Sequence, residues 1–162
     1  MACKAAVTLA LIGVASCNNA TEPSVLEAYL AGQAVGLEIT TSVTPTTINI
    51  GGQGTMTIKL HNPKTTTVRI TFTSGCQVLP YISAGQNQLV YPSGGGWGCP
   101  AVMTTLTLAP GTDYIRTTTI LGGAPAVGTF QGAALSSGRY VAFAEIADGM
   151  GRSNSVKFDV VK

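Results

Sequence analysis

Thr55-Met56-Thr57-Ile58-Lys59-Leu60-His61 and Val68-Arg69-Ile70-Thr71-Phe72-Thr73 decide the fold class. In both runs every second residue is large and apolar, and the residues between are polar. A period of two puts one row of side chains on a buried face and the other in water, which is the pattern of a half-buried β-strand. Asn62-Pro63-Lys64 separates the runs and reads as a turn, so the pair is expected to form an antiparallel hairpin.

Outward from this pair the same pattern recurs. Leu37 to Val43 opens the sheet, Pro45 interrupts it, and Ile48 and Ile50 resume the apolar positions. Gly51 to Gly54 is a turn. On the C-terminal side, Leu106 and Leu108 point inward. Ala109-Pro110-Gly111-Thr112 has the order of a type II turn, with glycine at the place that needs positive φ. Tyr114 to Leu121 is a threonine-rich strand, expected near a sheet edge. Gly122 to Gly132 reads as a loop with a short strand near Phe130. Leu135-Ser136-Ser137-Gly138-Arg139-Tyr140 resembles the tyrosine corner of Greek-key sandwiches, in which the phenol bonds back to the main chain. Asp148 to Gly151 turns the chain, and Val156, Phe158 and Val160 form the last inward row. About seven to nine short strands at even spacing predict an all-β antiparallel sandwich.

Composition agrees. The chain has 162 residues, 45% hydrophobic and 10% charged, with 20 glycines, 8 prolines and a formal net charge of +2. That apolar content fills a core and argues against disorder. The few basic residues are scattered, so no nucleic-acid partner is expected.

The first residues form an address. Met1-Ala2-Cys3-Lys4 is followed by an apolar run from Ala5 to Ala15, too short for a bilayer span, which needs about 20 residues. Val14-Ala15-Ser16-Cys17 resembles the lipobox of bacterial lipoproteins. The resemblance implies cleavage before Cys17, attachment of a diacylglyceryl group to its thiol, and a protein tethered to a membrane of the bacterial cell envelope, with the outer membrane or periplasmic face favoured. The expected organisation is therefore a signal peptide over 1–16, a lipidated N-terminus and linker over 17–35, and a β-sandwich over 36–162. Ser24 to Ala34 is compatible with one or two helical turns capped by Ser24.

Cys76 and Cys99 remain as an even pair in an oxidising compartment and read as a disulfide. Closing this loop is worth about 3 kcal/mol in the chain-entropy model. The bracketed segment carries Pro80, Tyr81, Tyr91, Pro92, the Gly94-Gly95-Gly96 run and Trp97, the chain's only tryptophan. Tyr81, Tyr91, Pro92 and Trp97 are the candidate binding loop: aromatic anchors on a tied-down segment, suited to a protein, a protease or a polysaccharide. The bland alternative is that Trp97 covers one end of the sandwich and packs on the disulfide.

No catalytic set, metal site or cofactor motif emerges. His61 is the only histidine, whereas structural zinc takes four ligands. A disulfide removes the thiolate that a cysteine–histidine pair needs. No Gly-x-Ser-x-Gly elbow occurs, and the glycine run lacks a following Gly-Lys-Ser/Thr. Paired carboxylates such as Glu145 and Asp148 are conceivable, but seven acidic residues are ordinary for a domain of this size. No enzyme activity is expected.

Lys59 to Lys64, followed by Val68 to Gly75, is similar to the core of BsuPI-type intracellular proteinase inhibitor domains. Tyr81, Val90-Tyr91-Pro92 and Trp97 fall where that family carries an aromatic stretch and a tryptophan. Thr105-Leu106-Thr107-Leu108-Ala109-Pro110-Gly111 matches its proline-glycine turn, and Leu135 to Tyr140 its closing strands. The resemblance runs from Ile48 to Ile146 and implies an immunoglobulin-like sandwich. It also implies proteinase inhibition, for which Pro92 to Gly98 would be the substrate-like loop. The leader and the cysteine pair depart from an intracellular inhibitor, and a binding or structural role in the envelope is the expectation that fits them.

Overall fold

Met56, Ile58, Leu60 and Phe72 are fully buried, as the period-two runs require. The computed structural model describes residues 36–85, 88–123 and 132–162. The signal peptide, Cys17, the linker, the helical turns at 24–34 and the strand near Phe130 lie outside the described residues.

One sheet has the order β1 (Glu38–Thr44), β3 (Gln53–His61), β8 (Asp113–Gly122), β9 (Gly132–Leu135). The other has the order β2 (Thr47–Asn49), β12 (Val156–Val161), β10 (Gly138–Ile146), β5 (Val78–Ala84), β6 (Gln88–Tyr91), with β11 (Gly151–Arg152) paired to β10. A two-stranded ribbon, β4 (Val68–Phe72) with β7 (Thr104–Leu108), completes the set. Inward residues of all three sheets form one core, in which Met56 and Ile58 meet the same cluster as Phe72, Ile82 and Phe158. The fold is an immunoglobulin-like β-sandwich. Most pairings are antiparallel; β2 with β12 and β8 with β9 run parallel.

The first strand is divided between the sheets. Its first part, β1, pairs β3; after Pro45 the chain crosses and β2 pairs β12. Proline has no N–H for a ladder, so the break falls where it costs least. Gly122 is required by close approach: a Cβ there would run into the carbonyl oxygen of Asn49. Gly111 takes φ +67°, and Thr112 N–H closes the turn on Ala109 O at 3.2 Å, as its sequence predicts. The tyrosine corner is present: Tyr140 O–H donates to Ser136 O at 2.9 Å.

Three expectations are corrected. β3 and β4 do not form a hairpin; β3 lies between β1 and β8, and β4 pairs β7. The reason is Asn62, which is buried and turns the chain out of one sheet into the next. Its amide NH₂ donates to Thr66 O, Leu108 O and Ala109 O at 3.0, 3.0 and 3.1 Å, and its Oδ1 accepts from Lys64 N–H at 3.1 Å. Its own N–H donates to Thr112 O, and Gly111 N–H donates to its carbonyl. One side chain thus pins the β3–β4 crossing against the β7–β8 turn. Second, the cysteine-bracketed segment is no simple loop: β5 and β6 lie inside it, and β5 runs along β10 through the middle of the second sheet. Third, β8 is not an edge strand, although β9 pairs only Thr119 to Gly122 and leaves its first half without a partner on that side among the described residues.

Replacing Asn62 by alanine strips three carbonyls, of which Leu108's is buried, and one N–H of their partner at once. We expect a loss of about 2–4 kcal/mol in unfolding free energy, read by urea denaturation at unchanged m-value. A loss below about 1 kcal/mol would show that the crossing does not depend on this amide.

Candidate functional site

The site arises where β6 ends before β5 does. β6 reaches only Ile82, Ser83 and Ala84 of β5. In an antiparallel strand alternate carbonyls point to the same side. The carbonyls of Val78 and Pro80 therefore face the same flank as that of Ile82, beyond the end of β6. Two side chains take them. Trp97 Nε1–H donates to Pro80 O at 3.2 Å, and Arg116 Nη1–H donates to Val78 O at 2.5 Å. Pro80 has no N–H, so at that point the edge offers an acceptor alone.

Arg116 belongs to β8, so its guanidinium ties one sheet to the other. It also lies 5.6 Å from the centre of the Trp97 ring, within cation–π range. Tyr91, the last residue of β6, meets Trp97 edge-on at 5.3 Å and 86°. Beyond Tyr91 a cis peptide leads into the buried Pro92, and Gly95 N–H closes on Pro92 O at 3.1 Å. At the neck of the segment Cys76 and Cys99 are bonded with Cα atoms 5.4 Å apart, and Gly75 N–H donates to Pro100 O at 2.8 Å beside them.

Between these walls lies an open groove of about 460 Å³. Tyr91, Pro92, Ser93 and Trp97 form one side; Arg116, Thr117, Thr118, Thr119 and Gly132 form the other. Among the described residues that line it, Arg116 alone is charged. Burial raises the Tyr91 phenol above its ordinary value, with Arg116 and the Thr118 hydroxyl pulling the other way. The net shift is upward, so the phenol is neutral near pH 7 and available as both donor and acceptor.

Of the residues singled out from sequence, Tyr91, Pro92 and Trp97 come together here and Tyr81 does not. Tyr81 stands on the outer face of the second sheet. Its ring stacks on Phe143 at 5.2 Å, while the Arg152 guanidinium lies 3.7 Å from the Phe143 centroid. Trp97 finds the Pro80 carbonyl, Tyr91 and Arg116 as its partners. Sequence reasoning missed Arg116 and the threonines. The signal was parity: with Thr118 and Ile120 inward on β8, Arg116 also falls on the inward row, where a cation needs an explanation.

The other titratable candidates are engaged elsewhere. His61 Nδ1 lies 2.6 Å from Asp113 Oδ1, and Lys59 Nζ lies 2.9 Å from Asp113 Oδ2. Glu145 faces Arg152 at 4.0 Å. Asp148, at φ +59°, accepts from Thr73 N–H and Oγ1–H at 2.8 and 2.9 Å, fastening the end of β4. Among the described residues no group of three His, Cys, Asp or Glu side chains gathers to hold a metal ion, and no helix is long and apolar enough to cross a membrane.

No protein-family model matches this chain, and no curated protein does. Solved structures resemble it at low identity. One is a Paenibacillus sp. cycloisomaltooligosaccharide glucanotransferase complexed with cycloisomaltoheptaose: 15% identity, 76% of this chain, 14% of that chain, TM-score 0.45. Another is the Pseudomonas fluorescens alkylpurine DNA glycosylase AlkC bound to DNA containing an abasic site analog: 18% identity, 85% and 35% covered, TM-score 0.44. A third is the CARDB domain of the PF1109 protein from Pyrococcus furiosus, in complex with di-metal ions: 14% identity, 77% and 92% covered, TM-score 0.43. The chain thus spans a small part of the two enzymes and most of the CARDB domain.

Hydrogen bonds from Lys59 and then His61 hold the Asp113 carboxyl below its ordinary value. A depressed carboxyl stabilises the fold above its unfolded pKa and loses that contribution as pH falls through the folded one. Asp113→Asn is therefore expected to unfold at a slightly lower temperature than the parent at about pH 6, with the gap closing towards about pH 2. The effect is small because the group is exposed and screened. A gap that is constant over this range in thermal melts would contradict the assignment.

Proposed function

We propose that this chain is a lipid-anchored, non-catalytic binding module of the bacterial envelope, which meets its ligand at the Tyr91–Trp97–Arg116 groove. The observation that carries this reading is the way the groove is held. Trp97 and Arg116 are fixed by main-chain carbonyls at the sheet edge, and a disulfide closes the neck of the segment. Side chains already held in place lose little freedom when a ligand arrives, which is the condition for useful affinity from a small contact. The leader and the lipobox-like Val14-Ala15-Ser16-Cys17 support the anchor, and two or three acyl chains would make it stable. Residues 18 to 35 would then serve as the tether between membrane and sandwich.

Proteinase inhibition through Pro92 to Gly98 stands second. The exposed part of that loop is Ser93 to Gly96 and Gly98, which offers a protease no side chain larger than serine's.

The experiment uses the full chain purified from its own membranes. Its intact mass should equal residues 17–162 plus acyl chains, about 2 Da less than after reduction, because the disulfide has lost two hydrogens. In detergent it should be retained on immobilised envelope material. Trp97→Ala should weaken that retention about tenfold or more, the size expected of an interface anchor. Ser93→Trp, which obstructs the rim while leaving Trp97 packed, should do the same. An unlipidated full-length chain overturns the anchor. Retention unchanged in both variants overturns the groove, and inhibition of a protease panel at micromolar protein would then favour the second reading.

A further inference from the structure

We infer that the groove takes an acidic polysaccharide, a sugar chain bearing ring carboxylates, and that Arg116 is its carboxylate-binding residue. This deepens the proposed function and rests on the groove being the contact surface.

The argument begins with charge. Among the described residues the ion pairs engage Lys59, His61, Arg139 and Arg152. Arg116 has no carboxylate partner among them, although it is half-buried. A guanidinium carries five N–H donors, and the Val78 carbonyl occupies one of its nitrogens, Nη1. The unpaired positive charge in a partly shielded groove is a standing attraction for an anion. The planar fork suits a carboxylate, which it can bind through two parallel hydrogen bonds. Val78 O and the Trp97 ring hold it before the ligand arrives, so it is preorganised for that bond.

The rest of the lining describes what carries the carboxylate. Ser93 and Thr118 supply hydroxyls, and Tyr91 and Trp97 supply aromatic surface. Hydroxyls that both donate and accept, set beside rings that can cover C–H groups, match the two-sided character of a sugar. Because the groove is open rather than enclosed, a chain can pass through it instead of ending in it.

Trp97 is the only tryptophan, so intrinsic fluorescence reports on the groove directly. The full chain in detergent is titrated with oligogalacturonate and with its methyl ester, which keeps the rings and hydroxyls and removes the charge. The acid should produce a saturable change, weaken as salt is added, and bind about tenfold or more tighter than the ester. Arg116→Gln should bring the acid down to about the ester's affinity for the same variant, so that the preference for the acid is lost. That variant also removes the bond to Val78, so Ser93→Glu provides a second test: a like charge at the exposed rim should weaken the acid more than the ester with the bond intact.

Equal affinity for acid and ester overturns the inference and leaves the groove standing. So does the absence of a saturable response to either probe while envelope retention is still lost in Trp97→Ala. The phosphate ester of an otherwise uncharged sugar, or a short peptide with a free C-terminus, that binds tighter than oligogalacturonate would assign Arg116 to a different anion and overturn the acidic-polysaccharide reading. No response to either probe, together with retention unchanged in Trp97→Ala, overturns inference and groove alike.

Discussion

A single buried amide determines which strands can be neighbours. Asn62 reaches Thr66, Leu108 and Ala109 through its NH₂ and Lys64 through its oxygen, and its main chain exchanges bonds with Gly111 and Thr112. With that side chain in place, the chain leaving β3 cannot fold back beside it. It crosses to β4, and the turn after β7 is fastened at the same point. At the buried bond to Leu108 O water cannot take the amide's place, so hydrogen bonding as well as hydrophobic burial specifies the crossing. A second polar knot holds the first strand across the core. Thr41 and Ser153 share a hydroxyl contact of 2.7 Å, and Asn154 exchanges two bonds with the Thr41 main chain.

The groove is a consequence of the same accounting. A strand edge left open must satisfy its carbonyls somehow. Here β6 stops short, and an indole and a guanidinium take the place of a neighbouring strand. The result is chemically different from a covered edge. Instead of peptide groups, the flank presents an aromatic ring, a cation and hydroxyls. The disulfide contributes by closing the segment at Cys76 and Cys99, so that β5, β6 and the glycine turn begin and end at one place.

Periodicity was enough to read the inward rows. Met56, Ile58 and Leu60, then Val68, Ile70 and Phe72, then Leu106 and Leu108 are all buried. Turn chemistry was legible where one residue type is demanded, as at Gly111, and the tyrosine corner was legible from Gly138 and Tyr140. Strand partners were not. A period of two says which face a residue occupies and nothing about which strand lies beside it, so the β3–β4 hairpin was the natural misreading. β5 was hidden because Pro80 sits in its interior, and a proline argues against a central strand. It is tolerated because its missing N–H faces the stretch of edge that β6 does not reach. In the site, Tyr91, Pro92 and Trp97 were legible as an aromatic cluster near a glycine run. Arg116 was not, because it arrives from a distant strand, and only the sheet register brings it under Trp97.

On the proposed function, the groove flank rather than the outer face of the first sheet meets the ligand. The most direct measurement places a diazirine-bearing residue at Ser93, on the groove rim, and separately at Thr40, on the outer face of the first sheet. Both positions are exposed. Each full-length protein is irradiated in its native cells. Position 93 is expected to yield cross-linked envelope material and position 40 none above background. Cross-linking from position 40 with none from 93 would contradict the proposed function.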